Sequence, residues 1–268
     1  MENLAAQAAR NLRAVRERKP LVHNITNFVV MNFTANALLA MGASPVMAHA
    51  FDEVEEMVSH AGALVLNTGT LTNEWVAAMI AAGRKATEEI IPIVLDPVGS
   101  GATKLRTQSA RKILAETRVS VVRGNASEIL SLQDDKTRTK GVDAVHDVDE
   151  AGRTAGILAA ELGSTLAITG PVDLITNGRR VVRVSNGHPL MASVTGTGCT
   201  ATAAVGAFLA VDRDPVSAAA TALAFFGLAG ELAGDSAAAP GSFMIKMLDA
   251  LFTITPDQLQ RDCKIETT

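Results

Sequence analysis

IPIVLDPVGSGATKLRTQSARKILAETRVSVVRGNASE, residues 91–128, decides the fold. Two short apolar runs, IPIVLD (91–96) and VSVVRGN (119–125), flank a helical pattern over about 106–117. A buried strand, a helix and a second buried strand make a βαβ unit, with parallel strands and a right-handed crossover. Both strands end on polar residues. The first stops at Asp96 before Pro97-Val98-Gly99-Ser100-Gly101, and the second at Arg123-Gly124-Asn125 before Ala126-Ser127-Glu128. Ligands of open α/β sheets collect outside the carboxyl ends of the strands, so chemistry is expected there.

The same alternation extends in both directions. PLVHN (20–24), SPVMA (44–48) and ALVLN (63–67) precede the unit, TLAIT (165–169) follows it, and helical patterns cover about 28–41, 52–61 and 72–86. Polar ends recur at His23-Asn24-Ile25-Thr26-Asn27, Asn67-Thr68-Gly69-Thr70 and Thr169-Gly170. A single such end is explained by capping of the next helix, as Asn27 or Asn125 would do. Five together point to a crevice. DLITNGRRVVRVSNG (173–187) carries Asn177-Gly178 between strand-like runs, the signature of a tight hairpin with left-handed turn residues. Beyond residue 197 the pattern reads as entirely helical, over about 198–211, 215–233 and 241–252. The expected fold class is therefore α/β: a mainly parallel sheet with helices on both faces and an antiparallel hairpin at one edge. With no internal repeat and no linker, residues 1–268 read as one domain, and 131–147 as a surface excursion.

Composition narrows the function. A net charge of −4 gives no basic footprint for duplex nucleic acid, and 3% aromatic residues, with no Tyr and only Trp75 among the tryptophans, give no platform for stacking bases. No uninterrupted apolar run reaches the roughly 18–20 residues that span a bilayer, so no membrane partner is expected. The N-terminal stretch reads as an amphipathic helix without the apolar region of a secretory signal. Two cysteines, Cys199 and Cys263, make neither a disulfide framework nor a four-ligand zinc site and suit a reducing cytoplasm.

Asp96 and Glu128 are the metal candidates, since Mg²⁺ is commonly held by one or two carboxylates together with substrate phosphates and water. The alternative for Glu128 is an acidic residue favoured in a first helical turn. Arg123 is placed to fork onto phosphate. In VTGTGCTATAAVGAF (194–208), Gly196 and Gly198 are expected at positive φ, with the N–H groups of 197–200, Thr197 among them, aimed from a helix N-terminus at an anion. The spacing also echoes a dinucleotide fingerprint, but only helices follow it, and no GxxxxGK[ST] motif is present. Cys199 has three readings: an inert buried residue, a covalent nucleophile, or a thiol whose thiolate the helix dipole favours.

Over nearly its whole length the chain resembles the hydroxyethylthiazole kinases of the ribokinase-like superfamily. The likeness is densest in HNITNFVVMNFTANALLAMGASPVMA (23–48), GALVLNTGTL (62–71), LDPVGSGAT (95–103), RGNASEI (123–129) and VTGTGC (194–199). The resemblance implies ATP- and Mg²⁺-dependent phosphorylation of the alcohol of 4-methyl-5-(2-hydroxyethyl)thiazole, for thiamine biosynthesis or salvage. It implies Met47, Asn27 and Gly196 on the thiazole side, Arg123 and Thr169 on ATP, and Asp96 and Glu128 on the metal. Thr197, Gly198 and Cys199 would form the catalytic turn, with Cys199 where many ribokinase-like enzymes carry Asp. A homotrimer with substrate sites near subunit contacts is also implied. The competing readings are a kinase for another heterocyclic alcohol, a covalent thiol enzyme, and a nucleotide-binding regulator.

Overall fold

The computed structural model describes residues 3–133 and 148–267, so the stretch read as a surface excursion lies almost wholly outside the described residues. Helix α1 (Leu4–Arg18) leads into β1 (Leu21–Ile25), α2 (Met31–Met41), β2 (Ser44–Val46), α3 (Val54–Ser59) and β3 (Ala63–Asn67). Next come α4 (Asn73–Glu88), β4 (Ile93–Asp96), α5 (Lys104–Glu116), β5 (Val119–Asn125) and α6 (Ala126–Leu130). The chain continues through α7 (Val148–Leu162), β6 (Thr165–Thr169), β7 (Asp173–Thr176) and β8 (Val181–Val184). After a 3₁₀ turn (Pro189–Ser193) come α8 (Thr197–Leu209), α9 (Pro215–Ser236), α10 (Pro240–Thr253), α11 (Pro256–Asp262) and β9 (Ile265–Thr267).

Among the described residues the nine strands form one sheet in the order β2-β1-β3-β4-β5-β6-β7-β8-β9. β2 through β6 are parallel, and the three pairings from β6 to β9 are antiparallel. The chain runs outward from β1 to β2 and then returns to β3, so strand order reverses beside β1. Such a switch point opens a crevice at the strand ends.

Side chains alternate across each strand. Val22, Val65, Val94, Val121 and Ala167 point into a core shared with α1, α2, α8, α9 and α10. Ile25, Leu64, Leu66, Ile93, Leu95 and Leu166 point the other way, toward α3, α4, α5 and α7. Helix α9 is apolar on nearly every side and is long enough to cross a membrane, but 89% of its most apolar window is buried within the protein. It is a core helix. Small residues let α8 lie close on the sheet: a β-carbon at Gly206 would come within 2.6 Å of Val65. That contact sets the first turn of α8 over the polar strand ends.

Three expectations need correction. The chain after residue 197 is not entirely helical, because Ile265–Thr267 adds a strand to the free edge of β8. Three residues are too few to show a period, and their pairing is dictated by the edge they meet. The hairpin turn is looser than expected: four residues separate Thr176 from Val181, and only Gly178 is left-handed, at φ 86°. Asn177 instead uses its side-chain oxygen to accept the N–H groups of Arg179 and Arg180, both at 3.0 Å. Finally, β2 stops at Val46, so Met47 and Ala48 belong to the loop beyond it.

Candidate active site

The alternation that builds the two cores also builds the site. Two residues beyond Val65, Val94, Val121 and Ala167, on the same face of the sheet, stand Asn67, Asp96, Arg123 and Thr169. The inward row is apolar until the carboxyl ends of the strands, where it turns polar under the N-terminus of α8.

Asp96 is the hub. It is 1% exposed, and its Oδ2 accepts hydrogen bonds from Thr202 Oγ1 (2.7 Å) and Asn67 Nδ2 (2.9 Å), with Arg123 Nη1 at 3.8 Å. Burial pushes its carboxyl up to about 6, against the lowering pull of Arg123 and Thr202. Asn67 Oδ1 accepts from Asn27 Nδ2 (2.8 Å), and the same nitrogen lies 3.5 Å from Cys199 Sγ. A continuous polar chain therefore joins Cys199, Asn27, Asn67, Asp96 and Thr202, linking the loop after β1 and the ends of β3 and β4 to α8.

Arg123 donates to Thr169 Oγ1 at 2.6 Å, while its buried Nε has no partner. Its guanidinium lies against Gly198, where a β-carbon would sit 2.8 Å from Nη1. This corrects the reading of the glycine turn. Gly196 is left-handed, at φ 85°, and packs on Val30, but Gly198 is inside the first turn of α8 without a positive φ. Gly198 is glycine because Arg123 occupies the space of its side chain. The anion-facing set is also one residue shorter than expected, since Thr200 N donates to Gly196 O at 2.9 Å. The N–H groups of Thr197, Gly198 and Cys199 have no intrahelical acceptor, and the glycine cap has no side chain to offer one. Three donors, the dipole end of a 13-residue helix and a guanidinium thus converge on one point.

Cys199 differs from the third reading given above. Burial and the neighbouring Asp96 push its thiol up, so it stays protonated at neutral pH despite its helix position. Glu128 completes a capping box with Asn125: its Oε2 accepts Asn125 N (3.0 Å), its Oε1 accepts Gly99 N (2.8 Å), and Asn125 Oδ1 accepts Glu128 N (2.9 Å). The first-turn reading of Glu128 is what this geometry shows: it caps α6 and ties the Gly99 loop to the end of β5. Arg106 secures the neighbouring loops by donating to the carbonyls of Val98 (2.8 Å), Thr68 (3.1 Å) and Gly69 (2.8 Å).

A cavity of about 790 Å³ opens beside this centre, within the range of small-molecule sites. Arg123, Thr169, Thr197 and Gly198 line its inner end, Pro171, Pro189, Leu223 and Phe226 give it apolar walls, and Asn125, Asp173, Asn186 and His188 add polar groups. Burial also pushes Asp173 up to about 6, against a hydrogen bond from Gly170 N (3.0 Å). Asn27, Asp96 and Cys199 lie in the adjoining network, outside the cavity lining. Gly196 packs beside the loop that carries Asn27. Met47 joins neither set; its carbonyl accepts from His49 Nδ1 at 3.2 Å.

Sequence reasoning missed Asn67 and Thr202 as members of the network. Asn67 had a signal: it ends ALVLN as Asp96 ends IPIVLD, at the same place on the same face. Thr202 is the last hydroxyl of α8, one turn after Gly198, among apolar neighbours. Asp173, Asn186 and His188 carry no local signal, because the cavity wall is assembled from separate segments.

Comparison with known proteins places these features in a family. The model of the hydroxyethylthiazole kinase family matches residues 12–257. A hydroxyethylthiazole kinase from Desulfotalea psychrophila is 63% identical over 266 residues, covering 99% of this chain and 97% of that protein. The solved structure of a hydroxyethylthiazole kinase protein from Pyrococcus horikoshii OT3 superposes with a TM-score of 0.91 at 46% identity, covering 98% of this chain and 99% of the other. A ribokinase-like superfamily protein from Enterococcus faecalis V583 shares the fold, with a TM-score of 0.59 at 16% identity over 91% of this chain and 88% of the other.

Proposed function

The chain belongs to the hydroxyethylthiazole kinase family, and from that premise we propose that it transfers the γ-phosphoryl group of ATP to 4-methyl-5-(2-hydroxyethyl)thiazole. The observation that carries this reading is the first turn of α8, where the N–H groups of Thr197, Gly198 and Cys199 lie without intrahelical acceptors beside the Arg123 guanidinium, and Thr197, Gly198 and Arg123 line the cavity. Phosphoryl transfer is mostly positioning and stabilisation of charge on the equatorial oxygens, and these are the groups it needs. ATP occupies the cavity, with Arg123 and Thr169 on its phosphates. The thiazole alcohol approaches from the side of Asn27, Met47 and Gly196. The bond between the γ-phosphorus and its bridging oxygen breaks, a bond from the hydroxyl oxygen forms, and ADP leaves. A loose transition state releases the hydroxyl proton late, so a strong base is not required. The neutral Cys199 thiol orients the hydroxyl, and the proton passes to solvent. The product, thiazole phosphate, serves thiamine biosynthesis or salvage, and residues 1–268 form one kinase domain.

The donor set fits Mg²⁺ held with the substrate. Among the described residues no three His, Cys, Asp or Glu side chains form a metal cage. Each Glu128 oxygen takes one backbone N–H and keeps lone pairs for water, and Asp96, whose Oδ2 accepts from Thr202 and Asn67, would supply the second carboxylate. Such a pair suits a hydrated cation bridged by phosphates. When bound, Mg²⁺ neutralises phosphate charge. A chelator should abolish turnover and added Mg²⁺ should restore it.

The same reading includes a cytoplasmic homotrimer, without a nucleic-acid or membrane partner. Phe28, Val29 and Phe51, each at least 60% exposed, stand on the loops that carry Asn27 and follow Met47, where subunit contact would cover them. Light scattering should give three times the chain mass. A panel of alcohols tests the substrate: ADP release should be fastest with the hydroxyethylthiazole. A hydroxymethylpyrimidine turned over faster would move the assignment to another kinase of the same fold.

A further inference from the structure

The loop between β8 and α8 is seated on one stripe of α9. Gly227, Gly230, Glu231 and Gly234 recur at the spacing that keeps them on a single helix face. Each glycine forms a notch for one loop residue. A β-carbon at Gly227 would lie 2.4 Å from the Asn186 carbonyl oxygen, at Gly230 2.6 Å from Met191 Sδ, and at Gly234 2.4 Å from the His188 ring. Between the notches, Glu231 Oε1 accepts from Gly187 N (3.0 Å), Asn186 Nδ2 (3.2 Å) and Lys264 Nζ (2.9 Å). The C-terminal segment grips the same asparagine: Lys264 N donates to Asn186 Oδ1 (2.6 Å), and Asn186 Nδ2 donates to the Asp262 carbonyl (3.2 Å).

This loop is not a remote support. Asn186, Gly187, His188 and Met191 line the cavity, whereas Glu231 does not. The Met191 carbonyl accepts from Thr197 Oγ1 at 2.9 Å, which ties the far end of the loop to the first residue of α8. One carboxylate on α9 therefore fixes a wall whose other end meets the anion-facing turn.

We propose that Glu231 is a positioning residue for the nucleotide: it presets the Asn186–Met191 wall and so sets affinity for ATP and ADP without touching either. This rests on the assignment of the cavity to ATP. Removing the carboxylate leaves Gly187 N and the Lys264 ammonium without this acceptor and Asn186 Nδ2 with the Asp262 carbonyl alone, so the binding-competent wall is populated only part of the time. Apparent affinity then falls by that fraction.

The test combines calorimetric binding of ADP with separate KM values for Mg·ATP and for the thiazole alcohol. Glu231→Ala should weaken ADP binding and raise the KM for ATP by about tenfold, as expected if the competent wall falls to about a tenth of the population. The KM for the alcohol should stay within a factor of two. Glu231→Gln keeps a carbonyl oxygen for the loop donors and should recover most of the loss. Should Glu231→Ala fail to fold, Lys264→Met carries the test, with a smaller shift in the same direction. Unchanged ADP affinity in Glu231→Ala, or an equal rise in both KM values, would overturn the proposal. Arg123→Met and Thr169→Val separate the two levels. If these leave ADP affinity intact, the cavity is not the nucleotide site. If they weaken it and Glu231→Ala does not, only the role of Glu231 falls.

Discussion

Replacing Asp96 by Asn should make the protein more stable and leave it inactive. Asn resembles the protonated carboxyl in shape, and its carbonyl oxygen can still accept from Thr202 and Asn67. What it removes is a buried charge. In the fold the Asp96 carboxyl titrates at about 6, against an ordinary 3.8. The sign follows from linkage. The folded state holds this proton more tightly than the unfolded chain, so stability is greatest below the unfolded value and is lost as pH rises through roughly 4 to 6. Above that window the ionised group costs about 3 kcal/mol, from a shift of about two units at 1.36 kcal/mol each. At pH 4 the same linkage leaves less than about 1 kcal/mol. Asp96→Asn should therefore gain about 3 kcal/mol over the parent at pH 8, or about 5 °C in melting temperature, and very little at pH 4. Denaturant titrations of both proteins at the two pH values measure this, with Trp75, the sole tryptophan, as the fluorescent reporter. An Asn variant less stable at pH 8, or a gain of equal size at both pH values, would refute the reasoning. Loss of turnover in the stabilised variant would then show that the buried charge is retained for chemistry.

Other expectations follow from the same geometry. Gly198→Ala places a methyl against Arg123 and should lower kcat on the order of 10²-fold, the usual cost of losing one transition-state donor; a parental rate would remove Arg123 from the anion site. Cys199 should react with iodoacetamide at pH 7.5 more slowly than a free thiol, and Cys199→Ser should keep measurable kcat, since a raised thiol holds little thiolate. Fast alkylation, or a serine variant without activity, would point instead to a thiolate that takes the hydroxyl proton. Thr202→Val deletes a hydrogen bond to the Asp96 carboxylate and should cost about 1.5–3 kcal/mol at pH 8, less at pH 4. A loss independent of pH would mean that the hydroxyl serves packing alone.

Much of this was legible in the sequence, for a physical reason. A polar residue near the carboxyl end of a buried strand has few structural uses, so Asp96, Arg123 and Thr169 stand out wherever the sheet is read correctly. The βαβ order was equally plain, because short buried strands and longer helices differ in both length and period. What stayed hidden depends on approach in space. Gly198 could be read as a turn former, but its contact with Arg123 joins residues 75 positions apart in sequence. The helix dipole at Cys199 was visible, whereas the burial and the Asp96 charge that outweigh it were not. The cavity wall on α9 shows in sequence only as scattered small residues in a core helix, and β9 exists because an edge was free to receive it.

The most direct test follows the phosphoryl group itself. Protein incubated with Mg²⁺, the hydroxyethylthiazole and ATP carrying ¹⁸O on its γ-phosphate oxygens should give thiazole phosphate and ADP in equal amounts, with the three terminal labelled oxygens on the product by mass spectrometry. ATP left intact, or label found only in inorganic phosphate, would contradict phosphoryl transfer to the alcohol at the α8 turn.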